Sequence, residues 1–331
     1  MALGTNHSTS IPSSSGNTGT SANFIPELWS DEVIGAYKTN LVLANLVTKM
    51  SHKGKKGDTI HIPKPARGSA SAKGASTQVT LIADTASVVN ISIDKHYEYS
   101  KLIEDIAEVQ SLSSMRKFYT DDAGYALAKQ VDKSLFGVAQ TLQGGAATGD
   151  WYTGGTVFGT WTKAKYFTTG STTLTDYVEA TSTPIAIEDG GIRGMILALD
   201  NADVPMDNRA LVIPPVAAND LLGINRFTEQ QFIGSGDAIK TGKIGQIYGV
   251  DVYISSNCPT TGDAVNVAGN NTDRVGTMIH KDALVLAEQV GVRSQTQYKQ
   301  EYLGDLFTAD TIYGVGELRD DAGINFVVPA S

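Results

Sequence analysis

Ser113-Ser-Met-Arg-Lys-Phe-Tyr-Thr-Asp-Asp-Ala-Gly-Tyr-Ala-Leu-Ala-Lys-Gln-Val-Asp-Lys-Ser-Leu-Phe-Gly-Val-Ala-Gln-Thr-Leu142 is the longest uninterrupted helical pattern in the chain. Met115, Phe118, Tyr119, Ala123, Leu127, Val131, Leu135, Val138 and Leu142 recur at helical spacings, with Arg116, Lys117, Asp121, Asp122, Lys129, Asp132 and Lys133 mostly between them. The pattern predicts one apolar stripe on a polar rod. Ser113 or Ser114 is placed to cap the start, and Gly144 and Gly145 to supply a left-handed stop. At 1.5 Å per residue such a helix is roughly 45 Å long. A compact chain of this size has a radius of gyration of only about 20 Å, so the helix reads as a spine crossing the whole body.

Outward from the spine the chain is irregular. Met1 to Asn23 is mostly Ser, Thr, Gly and Asn, too polar to offset its own ordering entropy, and reads as an arm held by neighbouring subunits. Pro26, Glu27, Asp31 and Glu32 suit a helix start, with Trp29, Val33 and Tyr37 on one face, and an apolar run Leu41 to Met50 reads as core. Ser51 to Ser100 reads as a long β excursion with thin hydrophobic backing. Thr59 to Ile62 is its first strand, ended by Pro63 and Pro65, and Val89, Ile91 and Ile93 alternate with polar residues on the return. A lone hairpin is marginal in water, so it should lie on another surface. Leu102 to Val109 reads as a short acidic amphipathic helix, and Gly144 to Pro184 as short strands and turns rich in aromatics, suited to core or interface packing or to a sugar-binding patch.

Beyond it, Ile185 to Ala202 returns to helical period, Ala210 to Ile213 is a buried strand, and Val216 to Leu222 is a short helix. Val250 to Ile254 and Thr277 to Ile279 read as strands, Asp282 to Gln289 as a helical turn or two, and the tail as β over Val292 to Tyr298, Thr311 to Val315 and Ile324 to Val328. The mixture lacks the βαβ rhythm of a doubly wound enzyme.

The chain has 331 residues, 41% of them hydrophobic, a formal net charge of −9 and one cysteine. That is enough for a real core, and the acidity argues against a nucleic-acid reader, though not against a protein that merely encloses nucleic acid. Cys258 has no disulfide partner and reads as a small buried residue. No apolar run approaches the roughly 20 residues of a membrane span, and the first residues lack the features of a secretory signal, which points to a cytoplasmic origin.

Catalytic signatures are missing. Gly234-Ser-Gly-Asp-Ala-Ile-Lys-Thr241 has Ile239 where a phosphate-binding loop needs its second glycine. His7, His52, His61, His96 and His280 form no spaced ligand pair for zinc, Asp320 and Asp321 read as a solvated loop beside Gly323, and no Ser-His-Asp set is marked. No cofactor is expected. Charge is distributed unevenly instead: between Lys53 and Lys73 lie six bases and a single acid, Asp58. A solvated loop, a nucleic-acid contact and a contact with an acidic partner all fit, although base stacking is disfavoured because the neighbours are Gly, Ala and Ser. From Glu98 to Asp122 the excess is acidic. Lys64, Arg67 and Lys73 on the one side, with Glu104, Asp105 and Glu108 on the other, are therefore candidate inter-subunit contacts.

Three stretches together resemble the major capsid proteins of tailed bacteriophages, the family with the Hong Kong 97 (HK97) fold. They are Leu197 to Pro214, with its Val204-Pro205 turn and Arg209-Ala-Leu-Val-Ile-Pro; Gly242-Lys-Ile-Gly-Gln-Ile-Tyr-Gly-Val-Asp-Val-Tyr-Ile-Ser-Ser-Asn257; and His280-Lys-Asp-Ala-Leu-Val-Leu-Ala-Glu-Gln289. The arm-to-spine order is most similar to capsid proteins of short-tailed phages, including those of marine cyanobacteria. The resemblance implies an α+β, HK97-like capsid fold: an N-terminal arm and helix (1–50), an extended β-hairpin loop (51–100), a peripheral domain with the spine (101–184), an axial domain (185–289), and C-terminal strands returning to the peripheral domain (290–331). It implies a structural protein, not an enzyme, that self-assembles into hexamers and pentamers of an icosahedral shell around double-stranded DNA, located in the virion after assembly in the host cytoplasm. Expected partners are other copies, a scaffolding protein, a portal and a cement protein, with no membrane. An encapsulin-like compartment shell is the alternative on the same fold, and a nucleotide-binding enzyme the alternative of another class.

Overall fold

The computed structural model describes residues 42–51, 57–64, 70–79, 81, 87–105, 115–144, 164–177, 184–224, 245–261 and 273–329. The expected arm, the helix around Trp29, the Ser113 or Ser114 cap and most of the aromatic stretch 144–184 lie outside them.

In chain order, α1 (Leu43–Leu46) leads to β1 (Thr48–Ser51), β2 (Thr59–Lys64), β3 (Ser87–Ser92) and β4 (Lys95–Glu104). The spine is α2 (Met115–Ala139), followed by the short strands β5 (Lys165–Tyr166) and β6 (Thr175–Asp176). Then come α3 (Asp189–Asn201), β7 (Arg209–Ile213), α4 (Pro215–Leu222), β8 (Gln246–Ile247) and β9 (Val250–Ile254). The rest is β10 (Arg274–His280), β11 (Leu284–Lys299), β12 (Gly304–Glu317) and β13 (Gly323–Val328). These strands form a four-stranded sheet β1-β11-β12-β4, a seven-stranded sheet β6-β5-β13-β10-β7-β9-β8, and the separate hairpin β2-β3.

The spine has 25 residues, roughly 37 Å of helix. It ends at Ala139; in the short 3-10 turn Leu142–Gly144 beyond it, Gln143, with φ 61°, takes the left-handed conformation expected of a glycine. Its two halves are packed differently. Ala123 and Leu127 rest on Phe307 and Ala309 of β12, beside Tyr97 and Tyr99 of β4. Leu135, Phe136, Ala139 and Leu142 enter the main core with β7, α3 and β13 side chains such as Leu211, Met195 and Phe326. The second half is surrounded, so the one-stripe expectation fails there: Phe136 is buried, and so are the polar Asp132, Lys133, Ser134 and Gln140, while Phe118 at the start is exposed.

The buried polar groups act as joints. Asp132 accepts hydrogen bonds from the Ala44 amide at 3.2 Å and the Asn257 side-chain amide at 3.1 Å, and from the Leu43 amide. One carboxylate of the spine thus satisfies orphan N–H groups at the start of α1 and fixes the loop after β9. Burial holds Asp132 above the usual carboxylate range, against the lowering by these donors. Cys258 next to it is buried as expected, and burial pushes its thiol far up. Further along the spine, Tyr313 donates to Ser134 Oγ at 2.9 Å, whose own hydrogen goes to the Gln130 carbonyl at 3.0 Å. Asn325 of β13 donates to the Ala139 carbonyl and accepts from Thr277 Oγ1 of β10.

Most sequence expectations for strands hold, with three corrections. Residues 102–104, read as the start of a helix, are the end of β4, paired with β12 from Leu102↔Leu306 to Glu104↔Gly304. The stretch read as a helical turn after Asp282 is strand from Leu284, because β1 pairs with it on one side and β12 on the other. Short apolar runs fit both periods, and here the two neighbouring strands decide. Pro63 sits inside β2 instead of ending it; β2 pairs only with β3 among the described residues, so the missing N–H on the other edge costs nothing. The tail divides between sheets: β11 and β12 build the four-stranded sheet, and β13 lies between β10 and β5 in the seven-stranded one.

The hairpin β2-β3 has the thin backing its sequence implies. Ile91 and Ile93 pack on Val285 and Ala287, with Ile60, Ile62, Val89 and Ile312 around them. Two glycines of β12 allow the approach: a Cβ at Gly314 would collide with the Ser92 carbonyl, and one at Gly316 would press on Ile91 at 3.1 Å.

Candidate assembly surfaces

β11 begins in the core and leaves it, whereas β12 stays buried or half-buried along its whole length. Leu284, Val285 and Ala287 are buried, whereas every residue from Val292 to Tyr298 is exposed. Register shifts between Glu288 and Val290 and between Val290 and Arg293 mark the change, as bulges do where a strand is re-aimed. Beyond them β11 and β12 continue as an antiparallel ribbon in which β12 still pairs with β4 and β11 is the outer strand, held by pairing with β12 and by a cross-strand clamp. Arg293 of β11 makes two hydrogen bonds to Asp310 of β12, at 2.7 and 2.8 Å, and His96 of β4 reaches the same carboxylate at 3.1 Å. The Arg293 hydrogen bond holds the Asp310 carboxyl below its ordinary value.

The ribbon ends in a turn at 300–303. Tyr302 and Leu303 are 62% and 66% exposed, and Tyr298 is nearly half exposed. Leu303 has φ 45°, a left-handed conformation that costs a branched side chain on the order of 1 kcal/mol and a glycine almost nothing. Around these apolar groups stand Glu104, Asp105 and Glu301, all exposed, and the half-buried Asp305. Asp105 accepts the Tyr298 hydroxyl at 2.9 Å, and its amide donates to the Leu303 carbonyl at 3.0 Å.

At the other end is the extended loop. Lys64 closes β2, exposed and close enough to Glu317 to lower that carboxyl slightly against the rise caused by burial. Lys73 lies in an exposed segment with the Gly74 to Thr77 turn, and Val79 and Leu81 follow at 65% and 90% exposure. Arg67 and Glu108 lie outside the described residues.

The structure therefore does not bring the two charge sets together. Glu104 pairs with Gly304 at one end of β12, and Lys64 sits beside Glu317 at the other. The 14 residues between span roughly 40 Å of strand. Sequence reasoning found the charges but missed the aromatic turn and the Arg293–Asp310–His96 clamp. The clamp joins residues far apart in sequence, and the turn carries Glu301-Tyr302-Leu303, residues with no turn signature of their own.

Two residues of the resembling stretches have visible structural tasks. Asn257 is the joint to Asp132 described above. Arg209 is buried and donates to Asp200 Oδ1 at 2.7 Å and to the Pro205 and Val204 carbonyls, so its cation closes the C-terminal end of α3 and the turn after it. Among the described residues no group of three or more His, Cys, Asp or Glu is placed to hold a metal, and no helix is long and apolar enough to cross a membrane.

A long spine helix joining two sheets, an extended hairpin and a projecting ribbon define the HK97-like capsid fold. Solved chains agree: one from Mycobacterium phage Che8 is similar at 23% identity and TM-score 0.69, covering 92% of this chain and 97% of that one. The capsid of cyanophage P-SCSP1u gives 21% identity and 0.68 over 98% and 100%, and the acid-stable capsid of Helicobacter pylori bacteriophage KHP30 gives 14% and 0.67 over 96% and 98%. No curated protein sequence matches. The sequence profile of the family described as Phage capsid protein matches residues 105–324, and the chain belongs to that family. It is a capsid shell protein of the virion, a structural component that associates with copies of itself.

Proposed function

We propose that the chain forms hexamers and pentamers of an icosahedral shell enclosing double-stranded phage DNA, with 1–50 as N-terminal arm and helix, 51–100 as extended loop, 101–184 with the spine as peripheral domain, 185–289 as axial domain, and 290–331 as C-terminal strands returning to the peripheral domain. The observation that carries this reading is the exposure of residues 70–79 and 81 of the loop and of distal β11, from Val292 to Tyr298, in a single copy. Segments with so little core of their own gain backing when they lie on neighbours, and a closed shell supplies a neighbour on every side. The charge of −9 fits a wall that encloses DNA without gripping it. A scaffolding protein, a portal and a cement protein complete the proposed set of partners.

Electron microscopy of the expressed chain, alone and with a scaffolding partner, tests the reading. Closed shells with five-fold and six-fold capsomers are expected. Monodisperse monomers under every assembly condition would reject it. Nucleic-acid content of purified particles then separates a DNA shell from a compartment loaded with an enzyme.

A further inference from the structure

Distal β11 offers an unpaired edge. From Arg293 to Lys299 its register with β12 runs without interruption, and on its other side these residues have no strand partner among the described residues, since β1 stops opposite Glu288. Such an edge is a template for further pairing, and proteins usually blunt it with charge, proline or a bulge. Here the register shifts lie before the stretch, proline is absent from it, and its two cations stand at its ends. Two side-chain contacts bracket it: Arg293 is clamped to Asp310, and Tyr298 donates to Asp105 at 2.9 Å. They hold the strand to its own sheet and leave Ser294 to Gln297, all exposed, between them.

In chemical terms this edge reads the same in both directions. Arg293-Ser-Gln-Thr-Gln-Tyr-Lys299 runs cation, hydroxyl, amide, Thr296, amide, hydroxyl, cation. We infer that β11 of one copy pairs edge to edge with β11 of a second copy, antiparallel about a two-fold axis at Thr296, so that two four-stranded sheets become one continuous sheet. This deepens the shell reading above and rests on it. A second copy is the occupant that the palindrome selects, because a foreign strand would place no symmetric demand on the edge. The two-fold sets Thr296 opposite Thr296, Gln295 opposite Gln297 and Ser294 opposite Tyr298. Hydroxyl pairs and stacked amides of this kind support neighbouring strands. Arg293 falls opposite Lys299, where Asp310 already holds the Arg293 charge. Such a contact is isologous and closes on itself, so it joins subunits in pairs. It is made of ladder hydrogen bonds with little apolar burial, each contributing about 0.5–1.5 kcal/mol, which suits a contact weak singly and repeated throughout a shell.

Single cysteines locate the axis, in whatever assembly reaction gives shells with the wild-type chain; Cys258 is buried and serves as the background. Opposed residues of an antiparallel pair have Cα atoms about 4.5–5.5 Å apart, inside the disulfide range. Thr296→Cys would face its own equivalent, whereas Ser294→Cys would lie about 13 Å from its equivalent along the strand. Diamide oxidation of assembled shells should convert most of the Thr296→Cys chain to covalent dimer on a non-reducing gel, and at least about tenfold less of Ser294→Cys. Charge then checks the register. Gln295→Glu with Gln297→Glu sets carboxylates opposite carboxylates and should lower shell yield about tenfold or more, while Gln295→Lys with Gln297→Glu sets opposite charges together and should keep it near wild type. Intact Thr296→Cys shells that give no dimer, or that crosslink no better than Ser294→Cys shells, overturn the inference. So does wild-type yield in the Gln295→Glu, Gln297→Glu variant, which decides alone where Thr296→Cys does not assemble. A wild-type chain that never forms shells rejects the shell reading itself, a distinguishable failure.

Discussion

The proximal and distal halves of β11 belong to one strand and obey different physics. From Val285 to Ala287 it is paired on both sides, by β1 and β12, and two of its three residues are buried. From Val292 to Tyr298 only β12 pairs with it among the described residues, and every side chain is exposed. The first half is held by burial and defines the subunit. The second is held by ladder hydrogen bonds, the Arg293–Asp310 clamp and the Tyr298–Asp105 hydrogen bond, so most of its side chains face what lies outside the subunit.

Substitutions should expose this contrast as a split between subunit stability and assembly. The largest loss of subunit stability belongs to the proximal region. Asp132→Ala strands the Ala44 amide and the Asn257 side chain in the interior and should destabilise the subunit by about 3 kcal/mol, read from urea unfolding of the dissociated protein. Gly314→Ala comes next, at about 1–3 kcal/mol, because the new Cβ meets the Ser92 backbone. Faster hydrogen exchange at Ile91 and Ile93 would show the hairpin lifting.

Acidity separates the regions by sign. Asp310 is held below its ordinary value, first by Arg293. Its contribution is therefore present above the unfolded carboxylate range and is lost as pH falls toward the lowered folded value. Asp132 is held above its ordinary value, so its ionisation costs the fold stability as pH rises from the unfolded value through the raised one. Arg293→Ala should move the Asp310 carboxyl resonance to a higher titration midpoint by NMR and leave the Asp132 resonance where it was. Coupled movement of both would remove the distinction between the two regions.

Smaller effects sharpen it. A Cβ at Gly124 meets nothing within 4 Å, so Gly124→Ala should stabilise the spine by about 0.5–1 kcal/mol, seen as a higher urea midpoint with unchanged slope. Tyr302→Ser at the ribbon tip should change subunit stability by less than about 0.5 kcal/mol and still reduce shell yield. A substantial loss of stability there would mean the tip supports the subunit's own fold.

Much of this architecture is legible in sequence where local period and tertiary packing agree. The spine's stripe places Ala123, Leu127, Leu135 and Leu142 correctly, and the alternation at Val89, Ile91 and Ile93 places the hairpin. It is not legible where a neighbour decides. Nothing in the helical period of Asp132 tells that α1 and Asn257 close over it. Leu284 to Gln289 and residues 102–104 carry spacings that suit a helix until the flanking strands pair with them. The candidate contacts were visible as charges, yet their separation at opposite ends of β12 emerges only from register.

The central claim is that this subunit's exposed ends are made for other copies. Electron microscopy of the assembled wild-type chain tests it most directly: closed shells in which neighbouring subunits cover the exposed stretch Val292 to Tyr298 are predicted, and shells that leave it bare, or particles that remain single copies under every assembly condition, would contradict it.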